Sequence, residues 1–438
     1  MVQPGMPMSG GANSVEVAIV GGGIMGAATA LRLAQRGIKV ALFERGAIAS
    51  EQSSRAWGFI RQQGRHEAEV PLAAEANGLW TELTSLHGQP ATGFTRGGIL
   101  VPAETEADEE RVVVAGHETA AKYGLDSRIL DAAGICELVP QFAGKWRSGL
   151  YTAADAHGEP ALSTRTIAAA AKAAGATIHE NTPVLAVETS AGSVSGLVTK
   201  AGIWNAPIVL LANGVGAPAL ASQLKLELPI QIVKSSVGQT LPAVPFTQVA
   251  MWTPRVAFRP RGDGSFVIGN GYRGVGVDYE LTIDSLRSAR HFLPAYRLNW
   301  RLMRLTIGPD FIHQLRAKLS REASVQALPE PSANDRKVAH NLTRLNELFP
   351  HLGGVGLERS WAGRLDLTPD AIPIIDRPAT APGLFIAAGF SGHGFALGPS
   401  IGKQLSEWIA DGRPSLDLSP FRLSRFAEGI VHSAKKAL

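Results

Sequence analysis

The 438-residue sequence predicts an α/β protein. One domain carries a parallel sheet gathered from separated stretches of chain, and a second domain carries an antiparallel sheet. Three observations predict this arrangement. Strand–glycine–helix units stand near the start, the middle and the end of the chain. Short apolar strands bounded by Gly, Asn and Pro accompany them. Ahead of the last unit, residues 233–285 read as short strands broken by turns ("RPRGDGSF", "NGYRG"), and residues 286–350 as helix and loop.

The first unit is "SVEVAIVGGGIMGAATALRLAQRGIKVALFERG", residues 14–46. Val15–Val20 is the continuous apolar run expected of a strand buried on both faces. Gly21, Gly23 and Gly26 then give G-x-G-x-x-G. The first permits a tight turn, the second lets backbone approach a pyrophosphate, and the third lets the helix pack against the sheet. Alanines and leucines carry the helix, Gly37 stops it, and its N-terminal N–H groups favour phosphate. The second strand, Lys39–Phe43, ends in Glu44, whose carboxylate suits ribose hydroxyls and repels a 2′-phosphate. These are the parts of a Rossmann-like dinucleotide site, with Ile24, Met25 and Arg45 beside it. The segment alone leaves FAD and NAD open.

The middle unit begins with the alanine-rich helix "EPALSTRTIAAAAKAAG", opened by Pro160 and closed by Gly175. The strand segments "GATIHENTPVLAVE" and "APIVLLANGVGAPAL" follow, with the hairpin-like "SGLVTKAGIW" between them. The last unit, "GLFIAAGFSGHGFALGPSIGKQLSEWI", places Gly389, Gly392 and Gly394 in a strand-to-helix loop around His393. Backbone N–H groups at such a helix start stabilise negative charge.

Composition narrows the remaining classes. The net charge of +4 is small and scattered, so it does not argue for a nucleic-acid partner. The lone cysteine, Cys136, rules out an intrachain disulfide or a multi-thiolate metal site and is expected in the core. Residues 1–14 lack a basic n-region and an apolar core, so they are expected to be a disordered leader on a cytoplasmic protein. The Arg-rich, aromatic-interleaved stretch 286–321 reads either as helices covering the second domain or as a docking surface for an acidic partner subunit or an anionic membrane.

These motifs, with "VLLANGVG" and "WAGRLDLTPDAIPIID", occur in matching order over nearly the whole chain. In that order the chain resembles the D-amino-acid oxidase-type flavoproteins, the group containing glycine oxidase, sarcosine oxidases and D-amino-acid dehydrogenases. The resemblance implies FAD, held by residues 15–90, 155–232 and 355–438, with a substrate domain formed by 91–154 and 233–354. It places Ser53 and Ser54 near the pyrophosphate and flavin, and the backbone of Val184 at the adenine. Asn213 and Gly214 pass near the cofactor, and Gly398 lies in the loop and helix at the flavin's pyrimidine edge.

Arg61 matches the arginine that clamps the substrate carboxylate in sarcosine oxidases. Arg364 stands one position before the arginine with that role in glycine oxidase-like relatives, where this chain has Leu365. Adjacent strand residues face opposite ways, so Arg364 reaches substrate only if a bulge re-aims it. His393 is a candidate polar contact to substrate or flavin. Where sarcosine oxidases carry a flavin-linking cysteine in the "WAGRLDLTPD" segment there is none, which implies noncovalent FAD. Val267 stands where monomeric sarcosine oxidases have a lysine that speeds reaction with O₂. The implied activity is oxidation of a small secondary or D-amino acid, with electrons passing to O₂, another acceptor or a partner subunit.

Overall fold

The structure, a computed structural model, describes residues 13–274, 279–281, 285, 288–293, 296–297, 303–305, 311–312 and 330–431. A six-stranded sheet organises the nucleotide domain. Its order across the sheet is Ile374–Asp376, Leu384–Ala388, Ile208–Leu211, Val17–Val20, Val40–Phe43 and Thr177–His179. All neighbours are parallel except the first pair. Val17–Val20 is buried at every position because both faces are covered.

The helix Ile24–Gln35 packs on one face, with the C-terminal helix Gly394–Asp411 and the alanine-rich helix Pro160–Ala173 against it. A three-stranded antiparallel sheet, Val184–Ser190, Ser193–Thr199 and Gly202–Asn205, encloses an apolar cluster on the other face. The segment "GATIHENTPVLAVE" therefore supplies two strands to two different sheets. Asn13 and Ser14, at the end of the expected leader, are tied to Asn205, whose N–H donates to Asn13 O at 2.9 Å. Residues 1–12 lie outside the described residues.

The second sheet has ten strands among the described residues. Its pairings are mostly antiparallel, with Ala250–Trp252 parallel to Ile99–Ala103 and Tyr279–Leu281 parallel to Met303–Leu305. Helix Asp335–Leu348 closes its far face over a core that includes Phe258, Phe266 and Phe349. The long strand Leu357–Leu367, grouped above with the nucleotide domain, hydrogen-bonds along its length to Gln231–Thr240 of this sheet. It then hands the chain back to the six-stranded sheet.

Cys136 is exposed, contrary to its expected burial. In helix Ala132–Leu138 the inward position is Ile135, with Val139 one turn on, and the next residue round the helix faces solvent. Most of the basic segment 286–321 lies outside the described residues. No helix among the described residues is long and apolar enough to cross a membrane.

Candidate active site

A cavity of about 1090 Å³ is lined from both sheets. That lies just above the roughly 300–1,000 Å³ typical of a small-molecule site. Its nucleotide end begins at the glycine turn. Gly21 has φ +110°, and a Cβ there would stand 2.5 Å from Ala212 O, so only glycine fits. A Cβ on Gly26 would run into Gly21 O, which is how closely the helix abuts the turn.

Glu44 lines the cavity with both carboxylate oxygens fixed. Oε2 accepts from Gly22 N at 2.7 Å and Oε1 from Gly46 N at 2.8 Å. A carboxylate accepts about four hydrogen bonds, so capacity remains for ribose hydroxyls. Ser53 Oγ accepts from Ile24 N at 2.9 Å, bringing the following loop onto the helix N-terminus. Gly23, Ile24, Met25, Arg45, Val184, Asn213 and Gly214 line the same cavity. These residues fit a dinucleotide whose phosphates face a helix start and whose ribose faces Glu44.

Four predicted contacts do not line the cavity: Gly26, Ser54, Gly389 and Gly398. Ser54 Oγ donates instead to Glu51 O at 2.8 Å. Gly389 N donates to Asp366 Oδ2 at 2.7 Å. Gly398 faces Ile24, and a side chain there would collide with it, so its place is in the packing of two helices. Gly392, His393 and Gly394 do line the cavity at the start of the C-terminal helix.

At the other end the wall turns cationic. The Arg61 guanidinium lies 4.2 Å from the centroid of the Trp252 ring, a stacked geometry that fixes its plane. Arg65 is buried nearby, and burial lowers its affinity for its proton while Glu69 and Asp155 oppose that trend. Glu69 is 1% exposed and stands 3.1 Å from His393 Nδ1. Burial alone would raise the Glu69 carboxyl, yet His393, Arg65 and His66 bring it below the usual carboxylate range. Arg364 also lines the cavity without any bulge at its position. Its side chain is 6% exposed, and Nη1 lies 3.0 Å from Glu51 Oε1, which ties it to the nucleotide-end loop. Arg45 shares that glutamate at 3.2 Å.

Val267 is buried and does not line the cavity. Two residues along the strand, Trp57 packs directly over Gly269, and a Cβ there would meet its ring at about 2.5 Å. Sequence reasoning passed over Glu69, Trp252, Gln52 and Asp366. Gln52 Nε2 donates to Asp366 Oδ1 at 2.8 Å, and Val215 N donates to Gln52 Oε1 at 3.2 Å, so one amide joins three cavity segments. Burial raises the Asp366 carboxyl, against the bonds from Gln52 and Gly389. Glu69 stands in "RHEAEV", two residues before Pro71, and looks like an ordinary helix-opening acid. Only the return of His393 from the far end of the chain reveals its partner.

Asp155 supplies a test of this buried network. It is fully buried, accepts from Gln62 N at 2.8 Å, and is pushed up to about 7 by burial, against Gln62, Arg61 and Arg65. A carboxyl raised in the folded state above its unfolded value of 3.8 favours folding most at low pH, and that contribution is lost as pH rises through 7. The loss amounts to at most about 4 kcal/mol. Asp155→Asn keeps the acceptor for Gln62 and removes the titration. Relative to the parent, the variant should therefore gain urea resistance between pH 5 and pH 8. A pH-independent difference between the two proteins would show that Asp155 titrates normally.

A family model described as FAD dependent oxidoreductase matches residues 16–408. Glycine oxidase from Geobacillus kaustophilus is 27% identical over 94% of this chain and 97% of its own length. Human mitochondrial sarcosine dehydrogenase is 25% identical over 98% of this chain, which spans 43% of that longer protein. Among solved structures, L-amino acid deaminase from Proteus myxofaciens superposes with a TM-score of 0.85 at 23% identity, covering 97% of this chain and 95% of its own, and so shares the fold.

Proposed function

Since the chain belongs to the FAD dependent oxidoreductase family, we propose that it oxidises a small secondary or D-amino acid: sarcosine, iminodiacetate, another N-substituted glycine or an opine. The observation that carries this reading is one cavity holding both a dinucleotide cradle at Gly21–Glu44 and the arginine-lined end at Arg61. When bound, FAD supplies a two-electron acceptor for the hydride. The substrate's C–H bond breaks with its electron pair leaving, while the amine lone pair forms the C=N bond. Water then adds to the imine carbon and splits it to a carbonyl compound and an amine.

Each cavity residue has a task in that reaction. Arg61 holds the carboxylate by a planar fork. His393, backed by Glu69, offers a polar contact at the start of the C-terminal helix, and Arg364 holds the loop that carries Ser53 against the cofactor. Glu44 accepts the ribose hydroxyls. No dedicated base is required when the amine binds neutral.

FAD is held noncovalently in this reading, because the sole cysteine is exposed on a helix and does not line the cavity. Acid precipitation of the protein should leave the yellow colour in the supernatant; colour retained in the pellet means a covalent link through another side chain.

The function itself is tested by two half-reactions in stopped flow. Anaerobic mixing with a panel of N-substituted glycines, D-amino acids and opines should bleach the flavin. With Val267 away from the cavity, reoxidation by O₂ should be slow and by an artificial dye fast. A flavin that no amine in the panel bleaches refutes the activity. Rapid reoxidation by O₂ makes the protein an oxidase.

A further inference from the structure

We infer that the cavity takes a substrate with a second anionic group, an N-carboxyalkyl amino acid, and that Arg111 is the residue that selects for it. This rests on the amino-acid oxidation proposed above and narrows its substrate class.

The argument begins with the distribution of charge. Among the described residues, the acids that line the cavity are Glu44, Glu51 and Asp366, and all belong to its nucleotide end. At the other end the charged wall residues are Arg61, Arg65, Arg111 and Arg273, with Arg55 and Arg364 elsewhere on the wall paired to Glu330 and Glu51, and among the described residues no carboxylate lines the cavity there. One guanidinium suffices for one carboxylate, since its fork makes both bonds. The remaining cations then need an account.

Two of them are taken up by the protein. Arg65 is buried against Glu69 and Asp155. Arg273 binds Asp108 through Nε at 3.0 Å and through Nη2, and binds Glu104 at 2.9 Å. Arg111 is placed differently. Its side chain is 51% exposed, and its distance to Asp108 is 3.9 Å, beyond hydrogen-bond range, because Arg273 already engages both Asp108 oxygens.

Arg111 is also positioned by the same device as Arg61. Its guanidinium lies 5.4 Å from the Tyr272 ring centroid, as Arg61 lies over Trp252, and those two rings meet edge to face at 6.1 Å. The tyrosine is fixed in turn by donating to Pro102 O at 2.7 Å. One aromatic pair thus presents two forks to one cavity. Arg111 sits in Glu109–Val114, a stretch of π-helix, a local widening of the helix that often marks a ligand site. Val112, Ala115 and Leu150 make the adjoining wall apolar. That wall suits the alkyl spacer between an amine and a second carboxylate.

The experiment uses the FAD-loaded protein and compares iminodiacetate, with two carboxylates, against sarcosine, with one. The parent protein should favour iminodiacetate in kcat/KM. In Arg111→Gln that preference should fall about 10- to 100-fold, the worth of one charged hydrogen-bond pair, and Arg111→Lys should recover part of it. Binding of the non-oxidisable thiodiacetate and (methylthio)acetate, followed by the flavin spectrum, gives a readout independent of turnover and should show the same loss of preference. A parent that prefers sarcosine, or an unchanged preference in Arg111→Gln, overturns the inference. If no amine reduces the flavin while thiodiacetate still binds through Arg111, the proposed activity fails and the second anion subsite stands.

Discussion

Replacing Arg61 by alanine should lower kcat/KM for carboxylate-bearing amino acids by about 100-fold or more. Two charged hydrogen bonds, each worth about 1.5–3 kcal/mol, vanish with the fork. Arg61→Lys retains the charge but neither the planar fork nor the stacking at 4.2 Å over Trp252. It should fall between the parent and the alanine variant. Steady-state kinetics with sarcosine and D-alanine, alongside the bound-flavin spectrum, separates a lost clamp from a lost cofactor. If both variants keep the parent's kcat/KM, the carboxylate is held elsewhere, and Arg364 is the next residue to change.

Glu69→Ala should cost stability instead, by about 3–5 kcal/mol, because it removes one partner of a buried charge cluster and leaves the others behind. Arg65 and His393 both face that carboxylate, which is itself 1% exposed. Glu69→Gln keeps the shape and should lose less. The pH dependence has a definite sign. The folded Glu69 carboxyl lies below its ordinary value of 4.5, so its contribution is complete above that pH and is lost as pH falls through the folded value. The gap in urea midpoint between the parent and Glu69→Ala should therefore close on acidification below pH 4.5. A variant as stable as its parent at pH 7 would mean that His393 and Arg65 find other partners.

The nucleotide end was legible in the sequence because its constraints are local. A glycine that cannot bear a side chain, a helix start and an acid at the next strand end lie within one short segment, and the structure sets them around one cavity. Gly398 was expected at the flavin's pyrimidine edge, and it abuts Ile24 without lining the cavity. A glycine near a helix start reads equally as backbone offered to a ligand and as a notch for a neighbouring helix, and only the position of Ile24 decides.

Residues at the substrate end were harder to read because their meaning depends on distant partners. Arg61 was visible, but Trp252 beneath it comes from the second sheet. Arg364 was expected to reach substrate only if a bulge re-aimed it, and it lines the wall with no bulge at its position while tied to Glu51. Glu69 and His393 lie on opposite flanks of the chain, and no spacing rule links them.

The order of strands in the six-stranded sheet bears on how the protein is made. Val17 pairs with Ile208, and Val209 pairs with Leu384, so these adjacent strands lie far apart in the 438-residue chain. The chain emerging from a ribosome can pair Val17–Val20 with Val40–Phe43 early, but Ile208–Leu211, the neighbour on the other side, has yet to be synthesised. High contact order of this kind slows folding and prolongs exposure of unpaired apolar edges. One edge of Val17–Val20, a strand buried at every position, stays open until Ile208–Leu211 is made, and that strand in turn waits for Leu384–Ala388. Cofactor loading must then wait until the C-terminal helix docks, because Gly392, His393 and Gly394 complete the cavity wall.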